Sequence, residues 1–119
     1  MRIAVTSAGP DLSSAVDQRF GRAHYLLVVD LPERTVLPVD NLAGMNAEQG
    51  AGIQAAQRVI DNEATVLLTG HCGPKAFRAL NAAGVEVYLA PAGTVAEAID
   101  RFEAGSLEQA PAADVDGHW

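Results

Sequence analysis

Apolar residues fall in short runs along this chain, and their spacing changes part-way along. Arg2 to Thr6 has the look of a short buried strand, and Ser7 to Ser14 is a loop by composition. His24 to Asp30 (His-Tyr-Leu-Leu-Val-Val-Asp) predicts a strand. Leu31 to Arg34 predicts a turn, and Thr35 to Val39 a returning strand in which Pro38 points to an edge position. Beyond Gly50 the spacing becomes helical. Ile53, Ala56, Val59 and Ile60 recur at three and four residues, which predicts a helix over Ala51 to Asn62. Ala64 to Thr69 predicts a buried strand. Pro74 starts a helix that turns Phe77 and Leu80 inward and stops at Gly84. Val85 to Leu89 is a further strand. Thr94 and Glu97 have capping-box spacing ahead of Val95, Ile99 and Phe102, and that helix ends at Gly105.

The order is strand, hairpin, then helix–strand–helix–strand–helix. The hairpin requires antiparallel pairing, and the second half requires parallel strands joined by right-handed crossovers. A five-stranded mixed α/β sheet with helices packed on it satisfies both. Residues 1–105 form one domain on this reading, and residues 106–119, rich in Ala, Pro and Asp, form a flexible acidic tail.

Composition narrows the function classes. With 119 residues, the chain is sized for one core. A net charge of −7 argues against general nucleic-acid binding, which needs a basic face. A single cysteine cannot form an internal disulfide. No apolar run is long enough to cross a membrane, and no signal peptide is evident, so the cytoplasm is the expected location. The expected assembly is a monomer or a weak dimer. The first strand carries no carboxylate, which excludes a two-metal nuclease, and there is no Walker loop, G-x-G-x-x-G or G-x-S-x-G.

Candidate chemistry gathers in Thr69-Gly70-His71-Cys72-Gly73-Pro74-Lys75, a strand-to-helix turn with the only cysteine and the only lysine. Such a turn offers free N–H groups and the positive end of a helix dipole to an anion. Cys72 is expected to be a thiolate there, with a lowered pKa, and a metal ligand alongside His71; the plainer alternative is a small buried hydrophobe beside a surface histidine. One Cys and one His cannot close a four-ligand zinc site. A second cluster, Arg19-Phe20-Gly21-Arg22 with His24, offers charge-assisted donors; alternatively its arginines pair with Asp17 or Asp30. The stretch Asn41 to Gln54 reads as a mobile lid or a plain connection, with Met45 as a possible soft ligand.

The segments Val16-Asp17-Gln18-Arg19-Phe20-Gly21-Arg22-Ala23, the Gly-rich helix start at Gly50 to Ala56, and Thr69 to Phe77 resemble the nitrogenase iron–molybdenum cofactor-binding family (the NifX and NafY type) over residues 1 to 105. The resemblance is strongest to its small stand-alone members. It implies a ribonuclease H-like α/β fold without nuclease activity. It also implies a non-catalytic carrier of an anionic metal–sulfur cluster, molybdenum–copper sulfide or an iron–molybdenum or iron–sulfur cofactor, with acceptor or assembly proteins as partners. The implied binding surface is Arg19, Phe20, Gly21, Arg22 and His24, facing Gly70, His71, Cys72, Gly73 and Lys75. Some relatives have histidine where Arg19 stands, so here charge rather than coordination is expected from that loop. The rival readings are a metal-free regulatory or interaction module, docking through its acidic surface and C-terminal Gly117-His118-Trp119, and an enzyme with Cys72 as nucleophile.

Overall fold

The computed structural model describes residues 1–41 and 50–110. Its elements are β1 (Arg2–Ser7), β2 (Tyr25–Asp30), β3 (Thr35–Asp40), α1 (Ala51–Asp61), β4 (Val66–Thr69), α2 (Pro74–Ala82), β5 (Glu86–Leu89), α3 (Val95–Glu103) and β6 (Glu108–Gln109). They form one mixed sheet in the order β3-β2-β1-β4-β5-β6. β1 pairs antiparallel with β2 (Val5 opposite Leu27) and parallel with β4 (Ala4 opposite Leu67), and β5 continues the parallel half. This is the expected mixed α/β fold. Pro38 lies in β3, an edge strand as expected, where a residue without an N–H breaks no ladder on its outer side.

Strand alternation builds two cores. On one face Ala4, Leu26, Leu67 and Val87 pack with Ala55, Ala56 and Val59 of α1 and Phe77 and Leu80 of α2. On the other, Ile3, Val5, Leu27, Val29, Val66 and Leu68 pack with Val95, Ala98 and Ile99 of α3. The result is three layers, with α1 and α2 on one side of the sheet and α3 on the other. Leu80 and Ile99 are fully buried, so cutting either to alanine costs about 2–5 kcal/mol.

The sheet has six strands rather than five. Tyr88 and Leu89 pair antiparallel with Gln109 and Glu108, and the Ala110 N–H donates to the Val87 carbonyl at 2.8 Å. A strand therefore stands at the start of the stretch expected to be a loose tail. Both its residues are exposed and polar, so only backbone pairing holds it and no apolar alternation announces it. Residues 111–119, with His118 and Trp119, lie outside the described residues.

Among the described residues, no helix is long and apolar enough to cross a membrane.

Candidate functional site

Two helices begin at the same place. α1 starts from Gly50, at φ 74°, and α2 starts from Gly73 with Pro74 in its first turn. Neither N-cap has a side chain that could satisfy the first-turn N–H groups, and neither first turn holds an acid. The two turns touch: a Cβ at Gly52 would stand 3.3 Å from the Cβ of Ala76. Each aligned helix presents roughly half a positive charge at its start, so the two contributions converge.

The Arg19–Arg22 loop closes the third side. Gly21 adopts φ 94°, and a Cβ there would stand 2.9 Å from the Gly52 nitrogen, so only glycine lets this loop approach α1 so closely. The Phe20 N–H donates to the His71 carbonyl at 3.0 Å, which bridges the loop to the turn after β4. The cleft enclosed has a volume of about 470 Å³. Its walls are Phe20 and Arg22 from the loop, Gly50 to Ile53 from α1, and His71 and Gly73 to Ala76 from the α2 turn. None of these lining residues is an Asp or Glu, although the chain as a whole is acidic.

The expected site residues divide. Phe20, Arg22, His71, Gly73 and Lys75 line the cleft together. Gly21 shapes it through its close approach to α1. Arg19 does not line it. Its guanidinium reaches the Asp17 carboxylate at 3.3 Å and its N–H donates to the same carboxylate at 2.9 Å, the plainer alternative for that residue. His24 stacks on Tyr25 with ring centroids 4.4 Å apart and stands outside the lining. Gly70 faces the other way, into a larger cleft of about 630 Å³ bordered by Gln18, Arg101 and Glu108. That cleft contains none of the cationic loop and turn residues, so size does not identify the site here.

Cys72 departs most from expectation. It is 1% exposed, packed in the core around α1 and α2, and its S–H points to the Gly73 carbonyl at 3.8 Å. Burial pushes its thiol up to about 12, the reverse of the lowering expected beside a helix start. Desolvation is the cause, and it favours the neutral S–H over the thiolate expected as ligand or nucleophile. Among the described residues, no three His, Cys, Asp or Glu side chains gather into a metal cage.

Three features escaped the sequence reading. Ile53 fits the apolar helical spacing, yet it is 45% exposed at the cleft. Asn41, expected in a mobile lid, is 3% exposed: its side-chain amide donates to the Gly21 carbonyl at 3.1 Å and the Ala23 carbonyl at 2.9 Å. Arg58 of α1 donates in turn to the Asn41 side-chain oxygen at 2.9 Å, so asparagine and arginine clamp the loop to the helix. Asn and Arg have polar composition in common with lids, and nothing local marks them as a clamp. The rest of the lid expectation, including Met45, falls on residues outside those described.

The sequence pattern of the dinitrogenase iron-molybdenum cofactor family matches residues 1–105. The chain belongs to that family. The apo form of the orange protein from Desulfovibrio gigas is 48% identical, with 92% of each chain covered and a TM-score of 0.88. A Thermotoga protein of the DUF35 family, provisionally named NifB, is 40% identical over 91% of each chain, with a TM-score of 0.79. A provisionally named dinitrogenase from Methanocaldococcus jannaschii, 16% identical over 92% of this chain and 94% of its own, shares the fold alone at a TM-score of 0.68. No curated protein matches. The family resemblance stated from the sequence is thereby borne out, and with it a cofactor-binding role at the level of the family.

Proposed function

We propose that this protein binds and carries or stores a small anionic metal–sulfur cofactor containing molybdenum, with copper or iron, in the cleft between the Arg19–Arg22 loop and the first turns of α1 and α2. One observation carries the reading: in a chain of net charge −7, the described residues that line the cleft include Arg22, Lys75 and His71 and two glycine-started helix turns, and none of them is a carboxylate. Such a lining suits an anion.

The chemistry of the donors supports a cargo whose metals are already saturated by its own sulfides. Cys72 is buried and outside the lining, and among the described residues His71 is the one imidazole on the cleft's walls. Arg22 and Lys75 supply charge. The first-turn N–H groups after Gly50 and Gly73 bond sulfide or oxo groups. The resemblance to the family's small stand-alone members makes a molybdenum–copper sulfide cluster the first choice, with iron-based cofactors as the alternative. Exposed Ile53 gives an acceptor or assembly protein an apolar contact at the rim.

The test is anaerobic reconstitution of metal-free protein with tetrathiomolybdate and a copper(I) salt, followed by desalting. The expected product keeps a visible chromophore and stoichiometric molybdenum. A colourless, metal-free product refutes the molybdenum–copper reading and moves the choice to iron-based cofactors.

A further inference from the structure

The two walls of the cleft come from distant parts of the chain, so something must set their separation. The loop wall is fastened to the sheet at its root. The Asp17 N–H donates to the Thr6 carbonyl at 3.0 Å, and the Thr6 hydroxyl donates back to the Asp17 carbonyl at 2.6 Å. Thr6 has one hydroxyl proton, so the contact with Thr69, 2.9 Å away, is completed by the Thr69 hydroxyl as donor. Both hydroxyls are buried, at the ends of the adjacent parallel strands β1 and β4. One step along, Gln18 lies flat on Gly70. A Cβ at Gly70 would overlap the Gln18 side-chain oxygen and stand 2.8 Å from the Gln18 Cα. Turning the Gln18 side chain away does not remove the second clash, because it is with backbone. Gly70 has no left-handed φ, so space alone requires glycine here. The next fastening beyond this contact is the Phe20 N–H to the His71 carbonyl.

We propose that Gly70 is a positioning residue of the cleft. It lines no part of that cleft, yet its missing side chain lets the Asp17–Arg22 loop lie on the end of β4. This contact, braced by the Thr6–Thr69 hydroxyl pair, fixes the Phe20–Arg22 wall against the His71–Lys75 wall. The inference rests on the cofactor-binding reading only for its ligand readout; its geometric readout needs no ligand.

The experiment measures amide exchange at Phe20 in the metal-free protein, then molybdenum retention after reconstitution with tetrathiomolybdate and copper(I). In Gly70→Ala, Phe20 exchange rises about tenfold and retention falls about tenfold, the size of effect that small displacements around a site produce. Thr6→Val gives the same pattern and Thr6→Ser does not, so the inference is tested even where Gly70→Ala fails to fold. Unchanged Phe20 exchange in both Gly70→Ala and Thr6→Val overturns the inference, and so does faster exchange with undiminished retention. Where the wild type itself retains no molybdenum, the cofactor reading fails, and exchange at Phe20 alone decides the role of Gly70: a rise supports it and no change overturns it.

Discussion

The start of α3 and the starts of α1 and α2 are built in opposite ways. At α3, the Thr94 side chain accepts from the Glu97 N–H at 3.1 Å, and the Glu97 carboxylate accepts from the Thr94 N–H at 2.8 Å. Two orphan donors are satisfied, and the hydrogen bonds from Thr94 hold the Glu97 carboxyl below its usual range. At α1 and α2 the caps are glycines, the first turns carry no acid, and the turns meet at one cleft. A side-chain cap is worth about 1 kcal/mol over alanine and a few tenths over glycine. The fold takes a side-chain cap at α3 and leaves the first turns of α1 and α2 without one where they face the cleft. Among the described residues, the acidic chain lines this cleft with Arg22, Lys75 and His71 and with no carboxylate, a local pattern that its net charge conceals.

The largest expected effect lies at the charges. Arg22→Ala with Lys75→Ala removes two charge-assisted contacts and lowers retention of the reconstituted cluster by about 100-fold, at roughly 1.5 kcal/mol each; the fold stays intact by circular dichroism. Equal retention in the double variant removes the cleft from consideration. Arg19→Ala, whose partner is Asp17, changes retention far less in the same assay.

Asn41→Ala comes next. It strips donors from the Gly21 and Ala23 carbonyls and the acceptor from Arg58, and the protein loses about 2 kcal/mol in urea unfolding. A loss under half that size means the clamp does not hold the loop.

A paired substitution then sharpens the contrast. Thr94→Ala costs about 1 kcal/mol of stability and leaves retention unchanged. Gly73→Ser does the reverse. Its Cβ meets nothing within 4 Å and its backbone is already extended, so serine caps α2 and adds a few tenths of a kcal/mol. It also occupies an N–H assigned to the cargo on the proposed reading, and the expected retention falls severalfold. A stabilised Gly73→Ser protein with full retention shows that the open turn has no part in binding.

The smallest effect concerns pH. A thiol raised to about 12 in the fold keeps its proton while the unfolded chain ionises near 9. Cys72 therefore stabilises the fold below that pH, and the contribution is lost as pH rises from there toward 12. Between pH 8 and 10, the wild type loses more stability than Cys72→Ala does. Parallel curves place the thiol nearer the solvent than its burial indicates.

Legibility followed the physics of each feature. Helix starts and strands were readable because capping spacing, Pro74, Gly84 and apolar runs act locally. Pro38 identified an edge for the same reason. β6 was not readable, since its two polar residues are held by backbone alone. At the candidate site, residue type and turn chemistry singled out Phe20, Arg22, His71, Gly73 and Lys75, which the fold brings to one cleft. The lowered pKa expected of Cys72 fails because burial depends on the whole core around it, and Phe20, Ala55, Ala56 and Val59 join that core from elsewhere in the sequence. Gly70 was assigned to contact the cofactor, whereas its need for glycine comes from Gln18, a neighbour in space only. Asn41 was missed because its partners at Gly21, Ala23 and Arg58 are distant in sequence.

The most direct test of the central claim is an anaerobic amide-shift map, with tetrathiomolybdate and copper(I) titrated into isotopically labelled protein. The largest shifts are expected at Ala51–Ile53, Lys75–Ala76 and Phe20–Arg22, with Thr94–Glu97 unmoved. Shifts centred on α3, or on the cleft beside Arg101, would contradict it.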